Sequence, residues 1–340
     1  MFPSHVEQCL HTLWEAGFQA YPVGGCVRDT LLGRTPGDWD VTTSALPEQV
    51  TSLFERTVPT GIDHGTVTVV LEGGVIEVTT FRREGGYTDS RHPDSVSFDV
   101  GLEEDLARRD FTVNAMAFAP DGTLIDPYHG EEDLKNRILR AVGDANARFL
   151  EDALRILRGI RFSAQLGFVL EDGTVKAMET QANGLRRISA ERIVHELEKT
   201  LLSENPDATG EFFRLGAMER FGSPVREEAE WQTLRQAPAE LERRWQVLCG
   251  LTGIDITALP VSRAVRRAVL HPLAGKEKEL ALSGGDLLEL GLQGEAIGQA
   301  QKLLVAYVAE HPEENDGETL KSVLQAEGLL AIKFERNEGM

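Results

Sequence analysis

The chain is 340 residues long, 41% hydrophobic and 26% charged, the composition of a globular protein with room for more than one domain. It has no run of about 18 or more apolar residues, which excludes a membrane-spanning helix, and Cys9, Cys26 and Cys249 are too scattered for a disulfide framework or a zinc site. The formal net charge of −20 weighs against a polyanionic partner, but binding is decided by local charge, and arginines cluster at 82–83, 108–109, 155–161 and 186–187.

The first residues, Met1 to Gln8, lack a basic stretch followed by an apolar one. No secretory signal is expected, and with the cysteine usage this predicts a reducing, cytoplasmic location. Apolar groups at 6, 9, 10, 13 and 14 predict a helix over 5–16, ended by Gly17. Phe18 to Val23 reads as a short strand entering Gly24-Gly25-Cys26-Val27-Arg28-Asp29, with a short helical pattern at Thr30 to Arg34. That strand, glycine turn and helix order can aim backbone N–H groups at a phosphate.

Asp38-Trp39-Asp40 follows. On extended backbone, residues i and i+2 share a face, so the two carboxylates stand side by side with Trp39 turned to the core. Adjacent carboxylates repel unless a proton or a cation lies between them. Mg²⁺ is the expected cation, because it takes oxygen ligands and shares its shell with substrate phosphates. A glycine pair alone is usually a turn, and a D-x-D alone is usually a solvated loop; their order, with Arg28 between them, makes the stretch specific.

Pro47 opens an amphipathic helix near 47–55. The β-branched runs 65–71 and 75–81, separated by Glu72-Gly73-Gly74, predict a hairpin. Glu77, in the middle of its second strand, is either a further metal ligand beside Asp38 and Asp40 or a surface-facing residue, and the sequence leaves both open. Residues 82–97 are polar and glycine-containing and read as a mobile loop whose length and charge favour a function. The polar first half of 102–118 is helical in period, and from about 145 the pattern is helical nearly to the end. The expected fold is α+β, a mixed-sheet head followed by an all-α remainder.

Within that remainder, Asp152, Arg155, Arg158 and Arg161 recur every three residues, which predicts one stripe along a helix. Leu150, Leu154, Leu157, Ile160 and Phe162 fall on the other side. In an arbitrary helix the ordinary reading is a solvated face with an Asp152–Arg155 ion pair, contributing roughly a few tenths of a kcal/mol. The chemical reading is different. A carboxylate accepts from an exocyclic amine while a guanidinium donates to ring nitrogen and carbonyl, so the pair could read one edge of a base at about 1–3 kcal/mol. It would accept C and A and disfavour U and G, and the further arginines suit a triphosphate.

Taken together, Gly24-Gly25-Cys26-Val27-Arg28-Asp29 with Asp38-Trp39-Asp40, Arg108-Arg109-Asp110-Phe111-Thr112-Val113-Asn114-Ala115, Asp126-Pro127-Tyr128, Glu151-Asp152-Ala153-Leu154-Arg155 and Ser189-Ala190-Glu191-Arg192-Ile193 give a family resemblance over about the first 200 residues. The chain resembles class II tRNA nucleotidyltransferases, the CCA-adding enzymes, within the polymerase β-like superfamily. The resemblance implies a nucleotidyltransferase head over 1–140, a nucleotide-selecting helical neck over 141–205, a helical body over 206–280 and a tRNA-binding helical tail over 281–340. It implies that Asp38 and Asp40 are catalytic and bind Mg²⁺, that Gly25 and Arg28 contact the triphosphate, and that Arg109 and Asn114 lie near its sugar and phosphates. Asp152 and Arg155 would bond C or A, with Arg158 and Arg161 nearby. The partners implied are CTP, ATP and the acceptor end of tRNA, and 82–97 matches the loop associated with the switch to A addition. Enzymes adding only A and poly(A) polymerases share these motifs, and a non-catalytic RNA-binding relative is the reading from another class.

Overall fold

The computed structural model describes residues 2–62, 65–85, 95–221, 228–270 and 279–330. Its backbone packs as two compact units, Met1–Val261 and Ser262–Met340. The expected boundaries at 140 and 205 fall inside the first.

The first unit opens with helix α1 (Ser4–Glu15), which buries Val6, Cys9, Leu10 and Leu13 and ends before Gly17 at φ 86°. Each such side chain contributes roughly 2 kcal/mol by leaving water. Strand β1 (Ala20–Pro22) is an edge strand, where a proline's missing N–H is tolerated. Helix α2 (Gly25–Leu31) starts directly on the glycine pair, earlier than the helical pattern at Thr30 to Arg34 indicates. Strand β2 (Asp40–Thr43) and helix α3 (Pro47–Leu53), with proline in its first turn, follow. Strand β3 (Thr57–Gly61) carries no clear sequence signal, whereas β4 (Thr66–Leu71) and β5 (Gly74–Thr80) form the expected antiparallel hairpin.

The five strands lie in the order β1-β2-β5-β4-β3, with β2 and β5 parallel and the other pairs antiparallel. Val41, Val67, Val69, Ile76 and Val78 turn one face of the sheet into the core, against α1 and against Cys26 and Val27 of α2. Period-two alternation sends Asp40 and its register partner Glu77 to the opposite face.

The ends of the expected loop 82–97 are more ordered than its composition indicates. Strands β6 (Arg83–Gly85) and β7 (Ser95–Ser97) pair antiparallel, since ladder bonds use backbone groups whatever the side chains are; residues 86–94 lie outside the described residues. Helix α4 (Leu102–Ala107), a single 3₁₀ turn at Thr112–Asn114 and helix α5 (Gly130–Asn136) complete the mixed region.

The helical region begins with α6 (Ala145–Glu151), α7 (Leu154–Leu166), α8 (Asp172–Gln181) and α9 (Ala190–Leu201), with α6 packed on α8 and α7 on α9. A two-residue parallel ladder, Ile138–Leu139 with Val169–Leu170, joins the two regions where the sequence shows no strand signal. Further helices, among them Leu241–Thr252 around the buried Trp245, complete the unit.

In the second unit, helices Gly284–Glu289, Glu295–Glu310 and Gly317–Ala326 share a core of Leu287, Leu304, Leu320 and Leu324. Ser283 and Asp286 form a reciprocal cap at the first of them. No helix among the described residues is long and apolar enough to cross a membrane.

Candidate active site

A cavity of about 850 Å³ in the first unit is lined by residues from β2, β5, α2, α7, α9 and the segment 108–114. It gathers Asp38, Asp40, Glu77, Gly25, Arg28, Arg109, Asn114, Asp152, Arg155, Arg158 and Arg161, every site residue expected from the sequence. Nine Arg and Lys side chains line it against five Asp and Glu. The lining concentrates cationic side chains in a chain of net charge −20, while Asp29, Asp105, Glu151 and Glu196 just behind it pair with five of them.

Gly24 holds the entry turn. Its φ of 81° and ψ of −129° are open only to glycine, and a Cβ there would lie 2.7 Å from Arg109 Nη1. At Gly25 a Cβ would meet nothing nearer than Arg28 Nη2 at 3.6 Å, so the fold demands the first glycine of the pair more than the second. The turn delivers Arg28 into α2, where its Nε donates to Asp29 Oδ1 at 2.9 Å and its Nη1 to Asn114 Oδ1 at 2.7 Å. Asn114 Nδ2 donates to Asp110 Oδ1 at 3.1 Å, and Arg158 Nε donates to Asp110 Oδ2 at 2.7 Å. Arg28, Asn114, Asp110 and Arg158 thus form one relay from α2 to α7. Burial pushes the Asp110 carboxyl up, but Arg158 and the Asn114 amide outweigh it and hold its pKa at about 2.

Asp40 opens β2, and Asp38 precedes it around the buried Trp39. Glu77 stands beside Asp40 on β5, on the exposed face and in the cavity wall. Of the two readings left open by the sequence, Glu77 is the surface-facing residue. Among the described residues, none of the three carboxylates has a hydrogen-bond or ion-pair partner. Burial raises the Asp40 pKa; Arg109 opposes this, and Glu77 and Asp38 reinforce it. Arg109 also keeps a buried Nε without a hydrogen-bond partner, while its Nη2 lies 3.6 Å from Asp105. Among the described residues no group of three or more His, Cys, Asp or Glu is placed to hold a metal ion, so Glu77 does not join Asp38 and Asp40 as a third ligand in this arrangement.

The expected base-reading stripe is not one helix. The chain breaks between α6 and α7, and Asp152 occupies the break at φ −142° and ψ 104°. Its Oδ1 accepts from Leu154 N at 2.9 Å, the local side-chain to backbone bond by which aspartate competes with helix. Asp152 and Arg155 are both in the cavity but do not pair. Asp152 Oδ2 accepts from Arg192 Nη2 at 2.7 Å, whereas Arg155 Nη1 donates to Glu151 at 2.7 Å and its Nη2 to the Arg108 carbonyl at 2.9 Å. Arg161 pairs with the buried Glu196. Leu154 and Phe162, expected on the far side, are in the cavity wall, and Leu150 is exposed.

Arg192, Asp110 and Lys199 have no role in the sequence reading. Arg192 and Asp110 lie in the Ser189–Ile193 and Arg108–Ala115 stretches, so motif membership is the signal that points to them; Lys199 has none.

Residues 20–140 match the family described as "Poly A polymerase head domain", and residues 167–217 the family described as "Probable RNA and SrmB- binding site of polymerase A". The CCA-adding enzyme of Geobacillus thermodenitrificans is 46% identical over 293 residues, which cover 82% of this chain and 72% of that protein. The CCA-adding enzyme of Limosilactobacillus fermentum is 39% identical, covering 94% of this chain and 95% of that one. The crystal structure of the Bacillus stearothermophilus CCA-adding enzyme in complex with CTP is 30% identical, with a TM-score of 0.68 over 96% of this chain and 98% of that one. The Thermotoga maritima CCA-adding enzyme complexed with tRNA, at 20% identity and a TM-score of 0.67 over 96% of each chain, is alike in fold.

Proposed function

Because the chain belongs to the family of CCA-adding enzymes, the class II tRNA nucleotidyltransferases, we infer that it adds C and A nucleotides to the 3′ end of tRNA without a template, using CTP and ATP and releasing pyrophosphate. The observation that carries this reading is that one cavity holds both the Asp38–Asp40 pair and the Asp152 and Arg155 side chains. A single bound nucleotide can then react at its α-phosphate and be read at its base.

The chemistry of the family is metal-dependent. The residues here suit Mg²⁺, because Asp38 and Asp40 offer hard oxygen donors, Glu77 adds charge alongside, and the raised Asp40 pKa is what a nearby divalent cation would reverse. When bound, Mg²⁺ would lower the pKa of the RNA 3′-OH and stabilise the leaving pyrophosphate. Asp38 and Asp40 would hold it.

Gly25, Arg28, Arg109 and Asn114 orient the triphosphate and sugar, with the buried Arg109 Nε as an available donor. Asp152 accepts from the amino group of C or A, Arg155 donates to the same base edge, and Arg158 and Arg161 extend from beside the base toward the phosphates. The protein's own contribution is positioning and charge. We assign residues 1–140 to the catalytic head, 141–205 to the nucleotide-selecting neck, 206–280 to the body and 281–340 to the tail that holds the tRNA acceptor arm. Loop 82–97 serves the A step, and the protein works in the cytoplasm.

Three tRNAs, ending at the discriminator base, at C and at CC, each offered CTP and ATP separately, test the reading. C should enter the first two and A the third. Product from the CC-ended tRNA alone would replace this reading with A addition only, and no product from any would contradict catalysis.

A further inference from the structure

Phe162 is buried in the cavity wall, edge-on to Phe111 at a centroid distance of 6.1 Å. Three guanidiniums gather around its ring. Arg161 Cζ lies 4.0 Å from the centroid, Arg158 Cζ 5.2 Å and Arg28 Cζ 5.3 Å. Arg28 comes from α2; Arg158 and Arg161 come from α7.

Three like charges around one ring repel one another, and each has its own anion. Arg28 pairs with Asp29, Arg158 with Asp110 and Arg161 with Glu196. Asp110 and Glu196 each act on both Arg158 and Arg161 through space, but among the described residues no side chain hydrogen-bonds to more than one of the three arginines. The ring is the shared element. An aromatic face carries negative potential and attracts cations within about 6 Å of its centroid, more strongly where water is excluded.

We propose that Phe162 is a positioning residue whose ring holds Arg28, Arg158 and Arg161 as one preformed array for the phosphate chain of the incoming nucleotide. The proposal deepens the proposed function and rests on its reading of Arg28 as a triphosphate contact. A polyphosphate is bound most tightly by cations already gathered, because little ordering remains to be done on binding. The Arg28–Asn114–Asp110–Arg158 relay already links the two helices by hydrogen bonds; Phe162 adds the one contact that all three guanidiniums share.

The bland role for Phe162 is apolar filling beside Phe111, and ring electronics separate the two. Site-specific Phe162→4-fluorophenylalanine, Phe162→3,5-difluorophenylalanine and Phe162→3,4,5-trifluorophenylalanine drain the aromatic face in steps while nearly preserving shape. The KM for CTP and the inhibition constant of pyrophosphate should rise stepwise, reaching about tenfold at the third substitution. The kcat should change less, and inhibition by CMP should stay constant. A flat series in KM and pyrophosphate inhibition would overturn the proposal. Arg28→Ala separates the two levels of the argument. If it weakens pyrophosphate binding while the fluorinated series stays flat, the role of Phe162 falls and the triphosphate reading stands. If it leaves pyrophosphate binding unchanged, the triphosphate reading falls, and the Phe162 proposal with it.

Discussion

At one end of the cavity Asp38, Asp40 and Glu77 stand together with no hydrogen-bond or ion-pair partner among the described residues, and burial raises the Asp40 pKa. At the other end the expected base-reading pair and the two arginines beside it each carry a counter-charge: Asp152 has Arg192, Arg155 has Glu151, Arg158 has Asp110 and Arg161 has Glu196. The difference is what the two proposed tasks would require. Carboxylates that take up a metal must be available to it, so a built-in cation would compete. Groups that choose between bases gain discrimination by being held still, so each is braced before a nucleotide arrives.

The largest expected effect breaks the first end alone. Asp38→Asn or Asp40→Asn should reduce C and A incorporation alike by about 10³-fold or more, since several kcal/mol of transition-state stabilisation would go with the metal. Thermal stability should be unchanged or rise, because the substitution relieves repulsion. Single-turnover incorporation beside a melting curve checks both.

Asp110→Asn should do the opposite. It leaves the Arg158 guanidinium, over a third exposed, without its carboxylate and should cost about 1–2 kcal/mol of stability in a denaturant titration. Its pH dependence has a definite sign. The folded pKa is depressed from the ordinary 3.8 to about 2, so the stabilisation is fully present above the unfolded value and is lost as pH falls through the folded one. The wild type should lose this stabilisation between about pH 4 and pH 2, and the variant should show a shallower acid transition.

Much of the first end was legible in the sequence because its information is local. Gly24, Arg28, Asp38 and Asp40 lie within seventeen residues; strand alternation orients Asp40, whereas Asp38 sits in a bend before β2 and not on the extended backbone expected for it. Glu77 needed the register of a parallel strand pair, which no local pattern supplies. The second end was legible in its residues but not in its geometry. The three-residue recurrence from Asp152 to Arg161 suggested one helical stripe, yet aspartate's tendency to bond its own backbone breaks the helix at its first member. The braces come from far along the chain, with Arg192 forty residues from Asp152 and Asp110 forty-eight from Arg158. Spacing cannot show such partners.

Smaller effects sharpen the second end. Arg192→Ala removes the brace on Asp152 and should lower the preference for CTP over UTP about tenfold, within the 1–3 kcal/mol of a good base contact. Melting will show whether the fold is intact. Glu151→Gln loosens Arg155, which keeps its bonds to two backbone carbonyls, so the same ratio should fall only about threefold.

The central claim is that phosphoryl transfer and base choice belong to separable ends of one cavity. It is tested most directly by single-turnover incorporation of CTP and UTP into tRNA ending at the discriminator base, comparing wild type with the Asp152→Ala, Arg155→Ala double variant. The account predicts that the CTP to UTP ratio collapses toward unity while measurable pyrophosphate-releasing incorporation persists. An unchanged ratio, with both nucleotides slowed alike, would contradict it.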